Sequence, residues 1–119
     1  MTAAQAVLYV HDLQRMVAFY EGCPGLRRVA DDDGYAELRA DGWTVWILRT
    51  PQAHGSGARR SQIPVKLCFA VESIAAARAT AAQLGGEVDE REWEFGGWRR
   101  CDAVDPEGNI IQLVEPCSG

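Results

Sequence analysis

The sequence predicts an α+β fold in which two βαβββ modules follow one another within a single domain. The order of a strand, a capped helix and three strands occurs twice, and glycine and proline end elements at corresponding places. The length of 119 residues, 47% of them hydrophobic, suits one domain with an ordinary core. The predicted boundaries within this single domain (1–119) are 4–51 for module one, 52–63 for a linker and 64–116 for module two.

Module one begins with a short apolar run at 6–10, AVLYV, and Asp12 follows it as a predicted helix N-cap. A glycine- and proline-rich segment at 22–25 ends the helix. The apolar side chains between these points recur at the spacing of one helix face, at Leu13, Met16, Val17 and Tyr20. The turns DDDG and ADG are typical hairpin connections. They separate three predicted strands at 26–30, 35–39 and 44–50.

Module two repeats this pattern after a segment, 51–64, that has no periodicity and is rich in Gly, Ser and Arg. A strand is predicted at 65–71, Ser73 is the predicted N-cap, and Gly85 and Gly86 end the helix. The apolar face of that helix comprises Ile74, Ala77, Ala81 and Leu84. The last strands are predicted near 87–91, 98–104 and 109–115.

The repeat can be aligned residue by residue at two places. Residues 10–13 (VHDL) match 71–74 (VESI), each a strand end, a cap and a helix start. Residues 48–51 (LRTP) match 113–116 (LVEP), each closing a module. Two units of this size are too small to bury a core alone, so we expect them to pack on each other.

Composition excludes several classes of partner. The formal net charge of −5 is a poor match to a phosphate backbone, and the adjacent pair Arg59 and Arg60 does not make a nucleic-acid surface. No apolar run approaches the roughly 20 residues that cross a bilayer, and the N-terminus does not resemble a signal peptide. A cytoplasmic location is therefore predicted. The cysteines lack metal-binding spacing and are expected to be reduced thiols, at Cys23, Cys68, Cys101 and Cys117.

Three stretches of the chain resemble the vicinal oxygen chelate superfamily, which includes glyoxalase I, extradiol dioxygenases, fosfomycin resistance enzymes and bleomycin resistance proteins. They are VHDLQRMVAFYE at 10–21, KLCFAVES at 66–73 and DPEGNIIQLVEP at 105–116. The resemblance implies the glyoxalase/bleomycin resistance fold, a curved mixed sheet with a concave cavity for a small molecule. It also implies a homodimer, with modules paired either within one chain or between chains. Because this fold hosts many chemistries, it does not specify an activity.

In the metal-using members of that superfamily, four side chains on the first and last strands of both modules bind a divalent ion. The resemblance assigns these positions to Gln5, Ile47, Lys66 and Gln112. Ile47 has no donor atom and Lys66 is a cation, so no metal and no other cofactor is predicted. A one-residue error would not restore a site, since the neighbours cannot ligate either: Trp46, Leu48, Val65 and Leu67. His11 is interpreted as an exposed residue before the cap, and His54 as a linker residue.

Strand alternation predicts which residues face the cavity. In the first, fifth and last strands these are Gln5, Val7 and Tyr9, then Lys66, Cys68 and Ala70, then Ile110, Gln112 and Val114. The fourth strand is apolar on both faces, so its alternation leaves its orientation open. The alignment of closing prolines places Ile47 in the cavity.

Lys66 and two tryptophans are the remaining candidates for ligand contact. Lys66, the only lysine in the chain, is either a snorkelling residue at a strand start or an inward ammonium that binds an anionic or carbonyl group. Trp93 and Trp98 flank the turn WEFGGW; they are either core residues or, as in the drug-binding relatives, rings that stack on a flat ligand. Three nearby acids would favour a cationic ligand, unless they form a solvated edge: Glu90, Glu92 and Glu94.

The leading hypothesis is a metal-free, homodimeric protein that sequesters a hydrophobic or aromatic compound, as in antibiotic resistance, with no turnover. Its predicted ligand-binding residues are Gln5, Tyr9, Ile47, Lys66, Cys68, Trp93, Trp98 and Gln112. The alternatives are a divalent-metal lyase, isomerase or dioxygenase, a metal-free enzyme that uses Lys66, or a partner subunit without its own ligand.

Overall fold

The computed structural model describes residues 4–51, 53, 58–61 and 63–117, and it confirms two tandem modules of α+β structure. Each module contains a strand, a helix and three further strands in the predicted order. The elements are β1 (Ala4–Val10), α1 (Leu13–Gly22), β2 (Arg27–Asp31), β3 (Tyr35–Ala40), β4 (Trp43–Arg49), β5 (Cys68–Ala70), α2 (Ile74–Gln83), β6 (Glu87–Phe95), β7 (Trp98–Val104) and β8 (Ile110–Pro116). Among these residues, no helix is long and apolar enough to cross a membrane.

Each module forms its own four-stranded mixed sheet with the same connectivity. The strand orders are β1-β4-β3-β2 and β5-β8-β7-β6. In both sheets the first strand pairs parallel to the last, and the other neighbours are antiparallel. The helix of each module connects the first strand to the next, as a parallel pairing requires a crossover.

The predicted caps and helix faces are confirmed. Asp12 accepts a hydrogen bond from the backbone N–H of Arg15, and Ser73 does so from Ala76. The buried sides of α1 and α2 pack on one face of each sheet, and apolar burial of this kind is the main force that holds the fold together. The largest fully buried side chains include Phe19, Tyr20, Leu38, Ile47, Phe69 and Leu113.

The strands of module two differ in length from those predicted. β5 comprises only Cys68–Ala70, whereas β6 extends to Phe95 and includes Trp93. The register of β6 against β7 shifts between Val88 and Glu92, so the strand continues beyond an irregularity that the sequence pattern does not reveal. Gly96 and Gly97, both at positive φ, make the turn between β6 and β7.

The two modules contact each other through buried side chains. The hydroxyl of Tyr20 in α1 donates to Oδ2 of Asp105 in module two at 2.7 Å. The carboxylate of Glu107 accepts from the backbone N–H groups of His11 and Asp12, at 2.9 and 2.7 Å. The rings of Trp43 and Phe69 stack across the junction with centroids 5.2 Å apart.

The described part of the predicted linker lies against module two. Arg59 makes two hydrogen bonds to the Asp89 carboxylate, at 2.8 and 2.9 Å, and Arg60 donates to Asn109 at 2.8 Å. Gly108 has a φ of +88°, and a Cβ there would collide with the carbonyl oxygen of Ala58. These arginines therefore hold the described residues 58–61 against module two. His54 lies outside the described residues.

Candidate ligand-binding site

Each sheet has one face against the helices and one face turned away from them, which we call the open faces of module one and module two. On module one, Gln5 pairs with Thr44, Val7 with Trp46 and Tyr9 with Leu48. Val7 and Tyr9 are 51% and 62% exposed. Gln5 and Tyr9 thus lie on the open face, as alternation predicts, although their contact with a ligand stays a prediction.

The prediction that Ile47 lies on the open face is wrong. Ile47 pairs with Leu8 and is fully buried in the hydrophobic core. Val7 pairs with Trp46, and Cys68, its counterpart in module two, pairs with Gln112. Trp46 is therefore the structural counterpart of Gln112. The alignment of the closing prolines is wrong by one residue, because these prolines are not equivalent in the two modules.

One polar contact on the open face of module one joins Gln5 and Trp46. The indole N–H of Trp46 donates to Oε1 of Gln5 at 2.9 Å. The Trp46 ring also lies 6.0 Å from the Tyr35 ring, in a tilted arrangement. This face therefore presents aromatic rings and a hydrogen-bonded amide beside the Arg39–Glu37 ion pair, whose nitrogen and oxygen lie 3.1 Å apart.

The open face of module two carries a connected polar network of five side chains. Nζ of Lys66 donates to Oδ2 of Asp102 at 2.8 Å, and Nε2 of Gln112 donates to the other carboxylate oxygen at 3.3 Å. Nη1 of Arg100 donates to Oε1 of Gln112 at 2.9 Å, and Sγ of Cys68 lies 3.9 Å from the same oxygen. The network links Lys66 at one end to Arg100 at the other.

Sequence reasoning missed Asp102 and Arg100. Both residues lie on β7, where Asp102 pairs with Gln112 and Arg100 with Trp93. Strand alternation could have identified both residues, because Arg100 and Asp102 lie on the same face of the strand as Trp98, a predicted ligand-binding residue.

The predicted tryptophans lie on the same open face as this network. Trp93 pairs with Arg100, and Phe95 pairs with Trp98. Phe95 is 68% exposed and Trp98 is 36% exposed, so these rings are accessible. The guanidinium of Arg100 lies 5.3 Å from the Phe95 ring centroid, and that of Arg91 lies 5.9 Å from the Trp93 centroid.

Two of the acids expected beside these rings face the other way. Glu92 pairs with the buried Cys101, and Glu94 pairs with Arg99. Glu92 also makes an ion pair with Arg78 in α2 at 2.9 Å. The expectation that they favour a cationic ligand is therefore wrong for Glu92 and Glu94, because alternation places them on the other face of the sheet from Trp93.

Two hollows flank the open face of module two. One, of about 490 Å³, is lined by Lys66, Asp102, Arg91 and Trp93, together with the Arg59–Asp89 ion pair. The other, of about 660 Å³, lies between the modules, and its lining includes Trp43, Phe69, Cys68 and Trp98. Both are large enough for a drug-sized molecule.

The side chains at the four positions that bind metal in superfamily members do not fit a divalent ion. With the corrected register, these positions hold Gln5, Trp46, Lys66 and Gln112. Trp46 and Lys66 offer only N–H donors, and the oxygens of both glutamines already accept hydrogen bonds. Among the described residues, no three His, Cys, Asp or Glu side chains are grouped closely enough to hold a metal. His11 is exposed before the helix cap, as interpreted from the sequence.

The cysteines fall into two environments. Burial raises the pKa of the Cys23 thiol to about 12. Burial also raises the pKa of Cys101, although the neighbouring Arg78 partly opposes it. Both thiols therefore stay protonated and act as small core residues. Cys68 is exposed on the open face of module two and is available for contact with a ligand.

Comparisons with known proteins agree with this architecture. A structure from Burkholderia phytofirmans PsJN, described as a glyoxalase/bleomycin resistance protein/dioxygenase family enzyme, matches with a TM-score of 0.74 at 17% identity over 98% of this chain and 100% of that one. A glyoxalase/bleomycin resistance protein from Albidiferax ferrireducens T118 matches with a TM-score of 0.69 at 24% identity, over 97% and 98% of the chains. The fosfomycin resistance protein FosX from Mesorhizobium loti matches with a TM-score of 0.70 at 15% identity, over 97% and 92%.

These likenesses are below 25% identity and establish the fold alone. No curated protein matches the chain significantly. The family model described as a glyoxalase-like domain matches residues 5–114, nearly the whole chain. The chain therefore belongs to the glyoxalase-like domain family.

Proposed function

We propose that this protein binds and sequesters a hydrophobic, aromatic small molecule without using a metal ion. The proposal rests on the hydrogen bonding of the polar groups on the open faces. Gln5, Lys66 and Gln112 are each engaged by a neighbouring side chain, and the remaining position is a tryptophan. Such faces offer fixed hydrogen-bonding groups beside aromatic rings, which suits binding by burial and stacking.

The names of two similar structures indicate the kind of molecule involved. One is a glyoxalase/bleomycin resistance protein and another is a fosfomycin resistance protein. By analogy, the ligand of this chain is an antibiotic-like compound. In the proposed complex, apolar and aromatic contacts come from Tyr9, Trp46, Cys68, Trp93 and Trp98, while polar groups set the orientation: Gln5, Lys66 and Gln112.

The proposed binding form is a homodimer with two cavities in the cytoplasm, where its thiols stay reduced. Within one chain, Val7, Tyr9 and Phe95 on the open faces are 51%, 62% and 68% exposed. Exposed apolar side chains grouped on a face mark interaction surfaces, and a second copy would shield these faces from water.

Native mass spectrometry of the purified protein tests the dimer and the metal together. A metal-free mass of two chains, with or without an added organic molecule, is the expected result. One divalent ion per chain would overturn the metal-free proposal and would direct the search to lyase and dioxygenase substrates. Turnover of a bound compound that is lost in Lys66→Met would instead show an enzyme.

Trp98→Ala tests the stacking surface directly. Loss of the ring should weaken binding of a ligand found by screening antibiotics roughly tenfold, since aromatic contacts contribute both buried area and geometry. Tryptophan fluorescence or calorimetry would measure the affinity. Val29→Ala, which removes exposed apolar surface on module one, is the control and should leave affinity unchanged. Equal affinity of the Trp98 variant would remove this ring from the site.

A further inference from the structure

The open face of module two is locally basic in an acidic chain. Lys66, Arg91 and Arg100 lie on this face, and Asp102 is the carboxylate among them. Three positive side chains against one carboxylate leave an excess of two positive charges, whereas the whole chain has a formal charge of −5. The nearby Arg59–Asp89 ion pair is neutral as a unit.

Arg100 is a cation of this face whose hydrogen-bond partners among the described residues are neutral. Its Nε donates to the backbone carbonyl of Phe95 at 3.1 Å, and its Nη1 donates to Oε1 of Gln112 at 2.9 Å. Within the described part of the chain, no carboxylate pairs with it. A guanidinium has five N–H donors, so Nη2 remains available on this side chain. The half-buried Arg100 therefore presents an uncompensated positive charge.

The neighbouring cations show what compensation looks like. Lys66 is neutralised by Asp102 at 2.8 Å. Arg99, next to Arg100 but on the opposite face, lies 3.9 Å from Glu92 and 3.5 Å from Glu94. Arg99 is thus a surface arginine paired with carboxylates, whereas Arg100 lies on the face of the candidate site.

An aromatic ring packs against the Arg100 guanidinium, and others lie nearby on the same face. Phe95 lies beneath it at 5.3 Å, and Trp98 pairs with Phe95 across the turn. A planar guanidinium fork matches a carboxylate in two parallel hydrogen bonds, and the adjacent rings supply a stacking surface. We infer that the ligand is an aromatic carboxylate and that Arg100 is the residue that selects its negative charge. This inference rests on the proposed binding function and narrows its ligand class.

Three naphthalene probes of nearly equal size test the selection of charge. They are 2-naphthoate, the neutral 2-naphthamide and the cationic 2-naphthylmethylammonium, each titrated into the full-length protein by calorimetry or ligand-observed NMR. The naphthoate should bind at least about tenfold more tightly than the amide, the magnitude of a hydrogen bond to a charged group. Arg100→Gln should reduce that ratio to near one, and Arg100→Lys should retain part of it.

Arg99→Gln is the matched control and should leave the ratio unchanged. Arg91→Gln should lower the ratio less than Arg100→Gln, and it provides a second test if the Arg100 variants unfold. A wild-type protein that binds the amide or the ammonium as tightly as the naphthoate overturns the inference. If Trp98→Ala still weakens the binding of those probes, the proposed binding function stands and only the inference about ligand charge is lost. An equal loss of the ratio in Arg99→Gln also overturns it, since the effect would then be a general one of surface charge.

Discussion

The turns that precede the last strand of each module differ in length and in burial. In module one, Asp41 and Gly42 form a short exposed turn between β3 and β4. In module two, the segment 105–109 between β7 and β8 is longer, and it buries Asp105 and Glu107 to 2% and 4% exposure. The duplicated sheets are alike, but the second turn makes buried and partly buried hydrogen bonds to the other module. Repetition of a module therefore supplies the sheets, and a local departure from the repeat joins them.

The buried carboxylates of module two are stabilised by hydrogen bonds that offset their desolvation. Asp105 accepts from Tyr20, Asn109 and the backbone N–H of Glu107. Glu107 accepts from the backbone at the end of β1, beside the start of α1, where negative charge is favourable. The DPEG motif is thus the segment that fixes the first strand and helix of module one.

Glu107→Ala should have the largest effect on stability, because it removes a contact that the second turn makes with module one. It would leave the backbone N–H groups of His11 and Asp12 without their partner in a partly buried place. The free energy of unfolding should fall by about 3 kcal/mol, in the range expected for bonds to a charged group plus unsatisfied donors. Urea denaturation would measure it. Asp41→Ala, in the exposed turn of module one, should cost less than about 0.5 kcal/mol. Similar losses for the two variants would refute the difference between the turns.

Tyr20→Phe would weaken the same junction by a smaller, pH-dependent amount. Burial raises the pKa of Asp105, and the hydrogen bond from Tyr20 lowers it, so removing the hydroxyl raises it further. A raised folded-state pKa contributes stability below the ordinary value of about 3.9, which is lost as pH rises through the folded-state pKa. The cost of Tyr20→Phe should therefore be about 1.5 kcal/mol at pH 7 and less near pH 4.

Denaturation at the two pH values would measure this change. Burial also raises the pKa of Tyr20 well above its ordinary range, so Tyr20 itself does not titrate between them. Tyr35→Phe, on the open face of module one, is the control and should show no pH dependence in this interval. Equal costs of Tyr20→Phe at both pH values would mean that the hydroxyl does not contact an ionised carboxylate.

The sequence predicted the scaffold better than the site because periodicity reports burial and not side-chain partners. The caps Asp12 and Ser73 and the order of elements follow from local patterns, and the structure confirms them. Ile47 was misplaced because β4 is apolar on both faces, so alternation had no contrast to detect. Arg100 and Asp102 were missed because charged residues in a strand are typical of a solvated face. Their network becomes visible only when β7 is aligned with β8.

The open faces of the two modules also differ, in the charge of the side chains at corresponding positions. At corresponding positions, module one has the neutral pair Gln5 and Trp46, whereas module two has Gln112 within a charged network. The scaffold positions are the same, but their electrostatic character is not. The difference should concern ligand orientation more than stability.

A pair of double-mutant cycles would sharpen this comparison with the smallest expected effect. Lys66 is 36% exposed and Asp102 18%, so their ion pair is partly screened by solvent. The coupling energy of Lys66→Met with Asp102→Asn should be about 0.5–1 kcal/mol and should decrease with added salt. Gln5→Leu with Trp46→Phe should give a coupling of at most about 0.5 kcal/mol that salt does not change. Denaturation at low and high ionic strength would measure both. A salt-sensitive coupling between Gln5 and Trp46, or no coupling between Lys66 and Asp102, would show that these two contacts do not differ in electrostatic character.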